Sequence, residues 1–151
     1  MCSTGGHLLQ LVALRPVWGD RARTWVTFDK SDAHSLLAGE SVVYASGPTN
    51  WTFGPRAAAN HIRNLRLAVR VVRRERPRVV LTTGAGLAIP FAWIARLSGA
   101  RVIYVESLTR IHEPSLACRA IRPIASRLYV QWPELAESLR GSRYEGNVFR
   151  P

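Results

Sequence analysis

The chain has 151 residues with a hydrophobic fraction of 47%, which fits one domain with a proper core. It carries 21 basic against 10 acidic residues, a formal net charge of +11, so its surface attracts phosphates, anionic lipid or nucleic acid. Two distant cysteines, Cys2 and Cys118, imply no disulfide framework and point to a reducing compartment.

The opening stretch, Ser3-Thr4-Gly5-Gly6-His7, is a turn whose glycines let the backbone approach a ligand. An apolar helix pattern, Leu8 to Leu14, follows at once and aims its free N–H groups at that turn. Such a turn normally leaves a buried strand, and only Met1-Cys2 precede it. The first central strand is therefore expected to lie upstream of Met1 or to be missing.

Pro16 and Gly19 end the helix, and Thr24 to Phe28 alternates as a strand. Asp29 to Asp32 offers caps for a short helix through Leu37, and Ser41 to Ala45 reads as another strand. A loop runs from Ser46 through Thr49, Asn50, Trp51, Phe53 and Pro55. Arg56 to Arg74 is a long helix, whose Ala58, Ile62, Leu65, Val69 and Val72 are expected to pack on the sheet. Arg63, Arg66, Arg70 and Arg73 form a basic stripe about 100° round, and Leu67 and Val71 extend the apolar arc on the other side.

Arg78 to Thr82 has the β-branched composition of a central parallel strand. A second glycine turn, Thr83-Gly84-Ala85-Gly86, follows it and leads into a helix from Leu87 to Leu97. Arg101 to Val105 is the next strand and ends in Glu106-Ser107. A helix from Ser115, a strand at Leu128 to Val130 and a helix near Glu134 to Leu139 complete the alternation. The pattern predicts an α/β fold: a Rossmann-like parallel sheet with helices on both faces and ligands at the carboxyl ends of the strands.

The blocks Ser3-Thr4-Gly5-Gly6-His7-Leu8, Val26-Thr27-Phe28-Asp29-Lys30, Gly47-Pro48-Thr49-Asn50, Arg63-Asn64-Leu65, Thr83-Gly84-Ala85-Gly86, Tyr104-Val105-Glu106-Ser107 and Tyr129-Val130-Gln131-Trp132-Pro133 occur in this order. Together they resemble the Alg14-type subunit of split GT-B glycosyltransferases, including bacterial polysaccharide proteins of the PssD type. The resemblance implies the N-terminal, acceptor-binding and membrane-facing half of a GT-B enzyme, as one domain over residues 1–151. It also implies a separate Alg13-like or PssE-type chain that binds the UDP-sugar, and a polyprenyl-diphosphate-linked sugar as acceptor. UDP-sugar is then a co-substrate, with no resident cofactor or metal expected. The implied location is peripheral, on the cytoplasmic face of a membrane.

Within that resemblance His7 is the candidate base for the acceptor hydroxyl, or a contact to its diphosphate. The same histidine could simply cap the first helix. Glu106 is the other catalytic candidate, as base or as a partner of His7 or of an acceptor hydroxyl; the same carboxylate could instead cap the segment that follows it. Ser3, Thr4, Gly5, Gly6, Thr49, Asn50, Thr83, Gly84 and Gly86 are candidates for acceptor or phosphate binding. The arginine stripe, Arg63, Arg66, Arg70 and Arg73, is read as a membrane surface. Two rival readings remain. Asp29 superficially suits the ribose acid of a dinucleotide-binding domain, but the first turn is not G-x-G-x-x-G. A specific nucleic-acid protein would rest on charge alone, since no reader module is present.

Overall fold

A computed structural model gives the fold and describes residues 1–47 and 55–149. The chain order is α1 (Gly6–Ala13), α2 (Arg15–Trp18), β1 (Trp25–Phe28), α3 (Ser31–Leu36), β2 (Val42–Ala45) and α4 (Pro55–Glu75). It continues with β3 (Val79–Thr82), α5 (Ala88–Leu97), β4 (Arg101–Val105), α6 (Leu116–Ile121), β5 (Arg127–Val130), α7 (Pro133–Ser138) and β6 (Arg143–Tyr144). The predicted strands and helices are recovered to within a few residues. Pro16 does not merely end the first helix; it sits in the first turn of α2, where its missing N–H costs nothing. Residues 143–144 form the short edge strand β6.

Every strand pair is parallel, with β1 beside β2 and the order β3-β4-β5-β6 in the larger sheet. Two residues join the sheets. The Met1 amino group donates to the Leu81 carbonyl at 2.7 Å, and Cys2 N–H donates to the Val26 carbonyl at 3.1 Å. The spatial order is thus β2, β1, Met1-Cys2, β3, β4, β5, β6. Chain order reverses at Met1-Cys2, which makes that place the topological switch point of a doubly wound sheet.

Side-chain alternation distributes the core over both faces. Trp25 and Leu81 turn toward α1 and α3, packing with Leu8, Leu11, Ala33 and Leu37. Val26 and Val80 turn the other way, against α4 and α5 through Ala68, Val72, Phe91 and Ala95. Val102, Tyr104, Leu128 and Val130 pack on α5, α6 and α7.

The packing face of α4 keeps Val72 of the predicted stripe and Val71 of its flanking arc but not Ile62 or Leu65. Asn64, Ala68, Val71 and Val72 are buried, whereas Ile62 is 52% and Leu65 49% exposed. The reason is Asn64. Its side chain accepts from Ser46 N–H at 2.9 Å and donates to the Ser46 carbonyl at 2.7 Å, satisfying the backbone where β2 ends. A buried amide with both ends paired is stable there. The helix is rotated to serve it, and Ile62 and Leu65 are left outward among the arginines.

Candidate active site at the carboxyl edge of the sheet

The two glycine turns meet. His7 Nδ1 lies 2.7 Å from the Thr83 carbonyl, and the Thr83 hydroxyl donates back to the His7 carbonyl at 2.8 Å. A carbonyl only accepts, so Nδ1 must carry the proton. In neutral imidazole this leaves Nε2 as the unprotonated nitrogen. His7 is half-buried, so the second nitrogen sits on a ring held in place yet partly open. Gly5 (φ +71°) takes the left-handed backbone that lets α1 begin directly after the strand-end residues. The second turn holds two consecutive left-handed residues, Gly84 (φ +98°) and Ala85 (φ +72°). Gly86 does not share that conformation. A left-handed alanine is strained, and such strain concentrates at functional turns.

Gly5 N–H donates to the Asp32 carboxylate at 2.6 Å. Asp32, read from sequence as a helix cap, does not cap α3; Lys30 holds that position without a side-chain bond. It instead occupies the N–H that the turn would offer to an anion. Asp29 is tied to His34 Nε2 at 2.7 Å, and Tyr44 OH reaches His34 Nδ1 at 3.1 Å.

Glu106 has no exposed surface. Its oxygens accept from Ser107 N–H at 2.7 Å, Ser115 N–H at 2.8 Å, the Ser115 hydroxyl at 3.0 Å and Tyr104 OH at 3.3 Å. The Ser115 hydroxyl also accepts from Cys118 N–H at 3.0 Å as the N-cap of α6. The carboxylate thus pins both ends of the 107–115 loop. Burial and the Glu106 charge push the Tyr104 phenol well above its ordinary pKa, keeping it a neutral donor.

Two buried amides, Gln10 and Gln131, complete the edge. Gln10 Oε1 accepts from Leu108 N–H at 2.9 Å and from Gln131 Nε2 at 2.6 Å, while its Nε2 donates to the Gly6 carbonyl at 3.1 Å. Gln131 also donates to the Glu106 carbonyl at 2.7 Å and accepts from Val148 N–H at 3.2 Å. The first turn, the loops after β4 and β5 and the C-terminal segment are therefore one hydrogen-bonded unit. The sequence alone gave no site role to Gln10, Gln131 or Asp32. The detectable signal was a glutamine inside the otherwise apolar run Leu8 to Leu14.

The predicted residues are brought together unequally. Ser3, Thr4, Gly5, Gly6, His7, Thr83, Gly84 and Gly86 lie in the two joined turns. Glu106 lies beneath this edge, joined to it through Gln131 and Gln10. Thr49 and Asn50, with Trp51 and Phe53, lie outside the described residues. Arg63, Arg66, Arg70 and Arg73 are all exposed on α4.

Comparison with known proteins places the fold first. The chain superposes on MurG of Acinetobacter baumannii with a TM-score of 0.74 at 16% identity, over 97% of this chain and 44% of that one. The two share the same Rossmann-like α/β fold. Residues 55–148 match the family described as "Oligosaccharide biosynthesis protein Alg14 like". A protein of Eremothecium gossypii named UDP-N-acetylglucosamine transferase subunit ALG14 is 37% identical across 95% of this chain and 75% of its own length. The protein of the same name from Yarrowia lipolytica is 34% identical over 53% of this chain, a match spanning 40% of that protein. The chain belongs to the Alg14-like family of oligosaccharide biosynthesis proteins, a family of glycosyltransferase subunits. Among the described residues no helix is long and apolar enough to cross a membrane.

Proposed function

We propose that this chain is the acceptor-binding, membrane-recruiting subunit of a two-chain UDP-sugar glycosyltransferase. Its acceptor would be a sugar on a polyprenyl diphosphate, and an Alg13-like chain would hold the donor. One observation carries the reading: the two glycine turns are bolted together at the switch point by the reciprocal His7–Thr83 bonds. With Nδ1–H committed to a carbonyl, His7 Nε2 is the nitrogen available to take the acceptor hydroxyl proton as the acceptor oxygen bonds to the donor's anomeric carbon and that carbon's bond to UDP breaks, UDP leaving with the electron pair. Gly5 and Gly6 have open space where a Cβ would stand, which suits a close backbone approach to the acceptor diphosphate. Asp32 then has to yield Gly5 N–H to that diphosphate. Glu106, with its oxygens engaged, serves as a positioning residue for the 107–115 loop rather than as the base.

Membrane recruitment is supported by the outward face of α4. Ile62 and Leu65 are about half exposed beside Arg63, Arg66, Arg70 and Arg73. Apolar side chains flanked by arginines match the interface of an anionic bilayer.

The deciding assay combines the purified chain with its donor-binding partner, UDP-N-acetylglucosamine and a polyprenyl-diphosphate-sugar. The donor is chosen because the relatives' names specify it. Transfer should need both chains, and full transfer by this chain alone overturns the two-chain reading. His7→Ala should cut turnover by ~10²–10⁴-fold while partner co-purification persists. Unchanged turnover removes His7 as the base.

A further inference from the structure

A hollow of about 240 Å³ opens at the amino ends of β5 and β6, the sheet edge opposite the glycine turns. Arginines dominate its lining. Arg122 and Arg127 come from the passage between α6 and β5, and Arg140 and Arg143 from the passage between α7 and β6. None of the lining residues is acidic.

Strand alternation builds the cluster. Leu128 and Val130 turn into the core against α5, α6 and α7, so Arg127 and Tyr129 turn to the other face. Arg143 is the register partner of Tyr129, so it leaves the sheet on the same face as Arg127. Strand spacing and rise put their Cα atoms about 8 Å apart, within reach of one shared anion for two long side chains. Gly141 has left-handed backbone (φ +87°), and nothing stands within 4 Å of where its Cβ would be, so a ligand can come close to the chain there.

The guanidinium groups have donors to spare. Arg122 donates to the Arg140 carbonyl at 2.7 Å and Arg127 to the Ser126 carbonyl at 2.9 Å. Among the described residues, the side chains of Arg140 and Arg143 have no hydrogen-bond partner, and none of the four arginines is in an ion pair. Arg122 alone satisfies the carbonyl beyond α7. The other three cations exceed that need, and gathered together they repel one another until an anion joins them.

We propose that this hollow binds a phosphoryl group, gripped by Arg127, Arg140 and Arg143 through charge-assisted, forked hydrogen bonds. It needs neither His7 nor the α4 stripe. Arg127 lies four residues, about 13 Å, from Gln131 at the carboxyl edge. Helix α4 packs across β1 and β3, toward the other side of the sheet. The phosphoryl group belongs to a soluble phosphate compound or to a lipid headgroup, and the two sources are separable.

The test titrates inorganic diphosphate into the chain in about 0.15 M sodium chloride, where diffuse attraction is screened, and follows the Gly141 and Ser142 amides by NMR. Both resonances should shift and saturate. Arg127→Gln with Arg143→Gln should weaken binding ~tenfold or more, at one lost charged hydrogen bond or more. Arg66→Gln with Arg70→Gln removes the same charge from α4 and should change it by less than ~twofold, because that charge is screened from the hollow. If the first pair misfolds, Arg140→Gln removes a side chain that bonds no described residue and should still weaken binding by at least ~threefold. Flotation on phosphatidic acid vesicles, with all four α4 arginines changed to Gln, then assigns the source. Retention that is lost with Arg127→Gln and Arg143→Gln points to a lipid headgroup; absent retention beside an intact diphosphate titration points to a soluble compound. Shifts that never saturate, that chloride reproduces at equal ionic strength, or that weaken equally in the α4 pair overturn the proposal.

Discussion

Replacing Glu106 separates a carboxylate that holds structure from one that does chemistry. In Glu106→Ala, Ser107 N–H and Ser115 N–H lose their acceptors in a buried place, from 2.7 and 2.8 Å. The Ser115 hydroxyl can still turn to Tyr104 OH, 3.1 Å away, so those two amides are the main loss. Each orphaned buried donor costs ~1–3 kcal/mol, which sums to ~2–6 kcal/mol. Against a total stability of ~5–15 kcal/mol, that is a severe defect. Glu106→Gln keeps one carbonyl oxygen but points an NH₂ at a donor, and should lose ~1–3 kcal/mol. Urea unfolding gives the stability change, and amide exchange at Ser107 and Ser115 shows whether the 107–115 loop has opened. Activity in the reconstituted pair should fall with the loss of loop protection. The positioning argument is refuted if Glu106→Ala unfolds within ~0.5 kcal/mol of the parent and keeps both amides protected while turnover collapses.

Gly84→Ala should destabilise by ~2 kcal/mol or more, since φ is +98° and the added Cβ would stand 2.5 Å from Tyr104 OH. Gly6→Ala meets nothing within 4 Å and should leave the urea midpoint intact, yet lower turnover if a diphosphate approaches that backbone. Stability should also peak between about pH 8 and 9. Burial lowers the Met1 ammonium below 8.0, so the unfolded chain binds more protons on the acid side and stability falls as pH drops from there. Burial pushes the Cys2 thiol from 9.0 up to about 11 and Cys118 to about 12, so stability falls again as pH rises past 9. Urea unfolding across that range checks both limbs; acetylating Met1 should remove the acid limb, and Cys2→Ala should weaken the alkaline one. Changing Arg63, Arg66, Arg70 and Arg73 to Gln should cut partition onto anionic vesicles by ~10²–10³-fold, at ~1 kcal/mol per arginine. Flotation that ignores both this change and added salt would remove α4 as the membrane face.

Local pattern determined most of the elements, because turn chemistry and alternation act over a few residues. The two glycine turns, the strand β3 that feeds the second and the parallel α/β class were all legible from side-chain type and spacing. That the turns would share one rim also followed, since both leave the carboxyl ends of parallel strands.

What sequence could not decide was which polar side chain finds a partner far away in the chain. The apolar residues of α4 fall on two arcs, and periodicity favoured Ile62 and Leu65; the Asn64–Ser46 pairing turned the other arc inward. Glu106 at a strand end read either as a site residue or as the cap of the following segment, and its donors include Ser115, nine positions away. Gln10 and Gln131 are 121 positions apart, so neither looked functional alone. A hydrophobic period records how well a residue tolerates burial, but the net cost of burying a polar group is set by its hydrogen-bond partner, and only the tertiary structure supplies that partner.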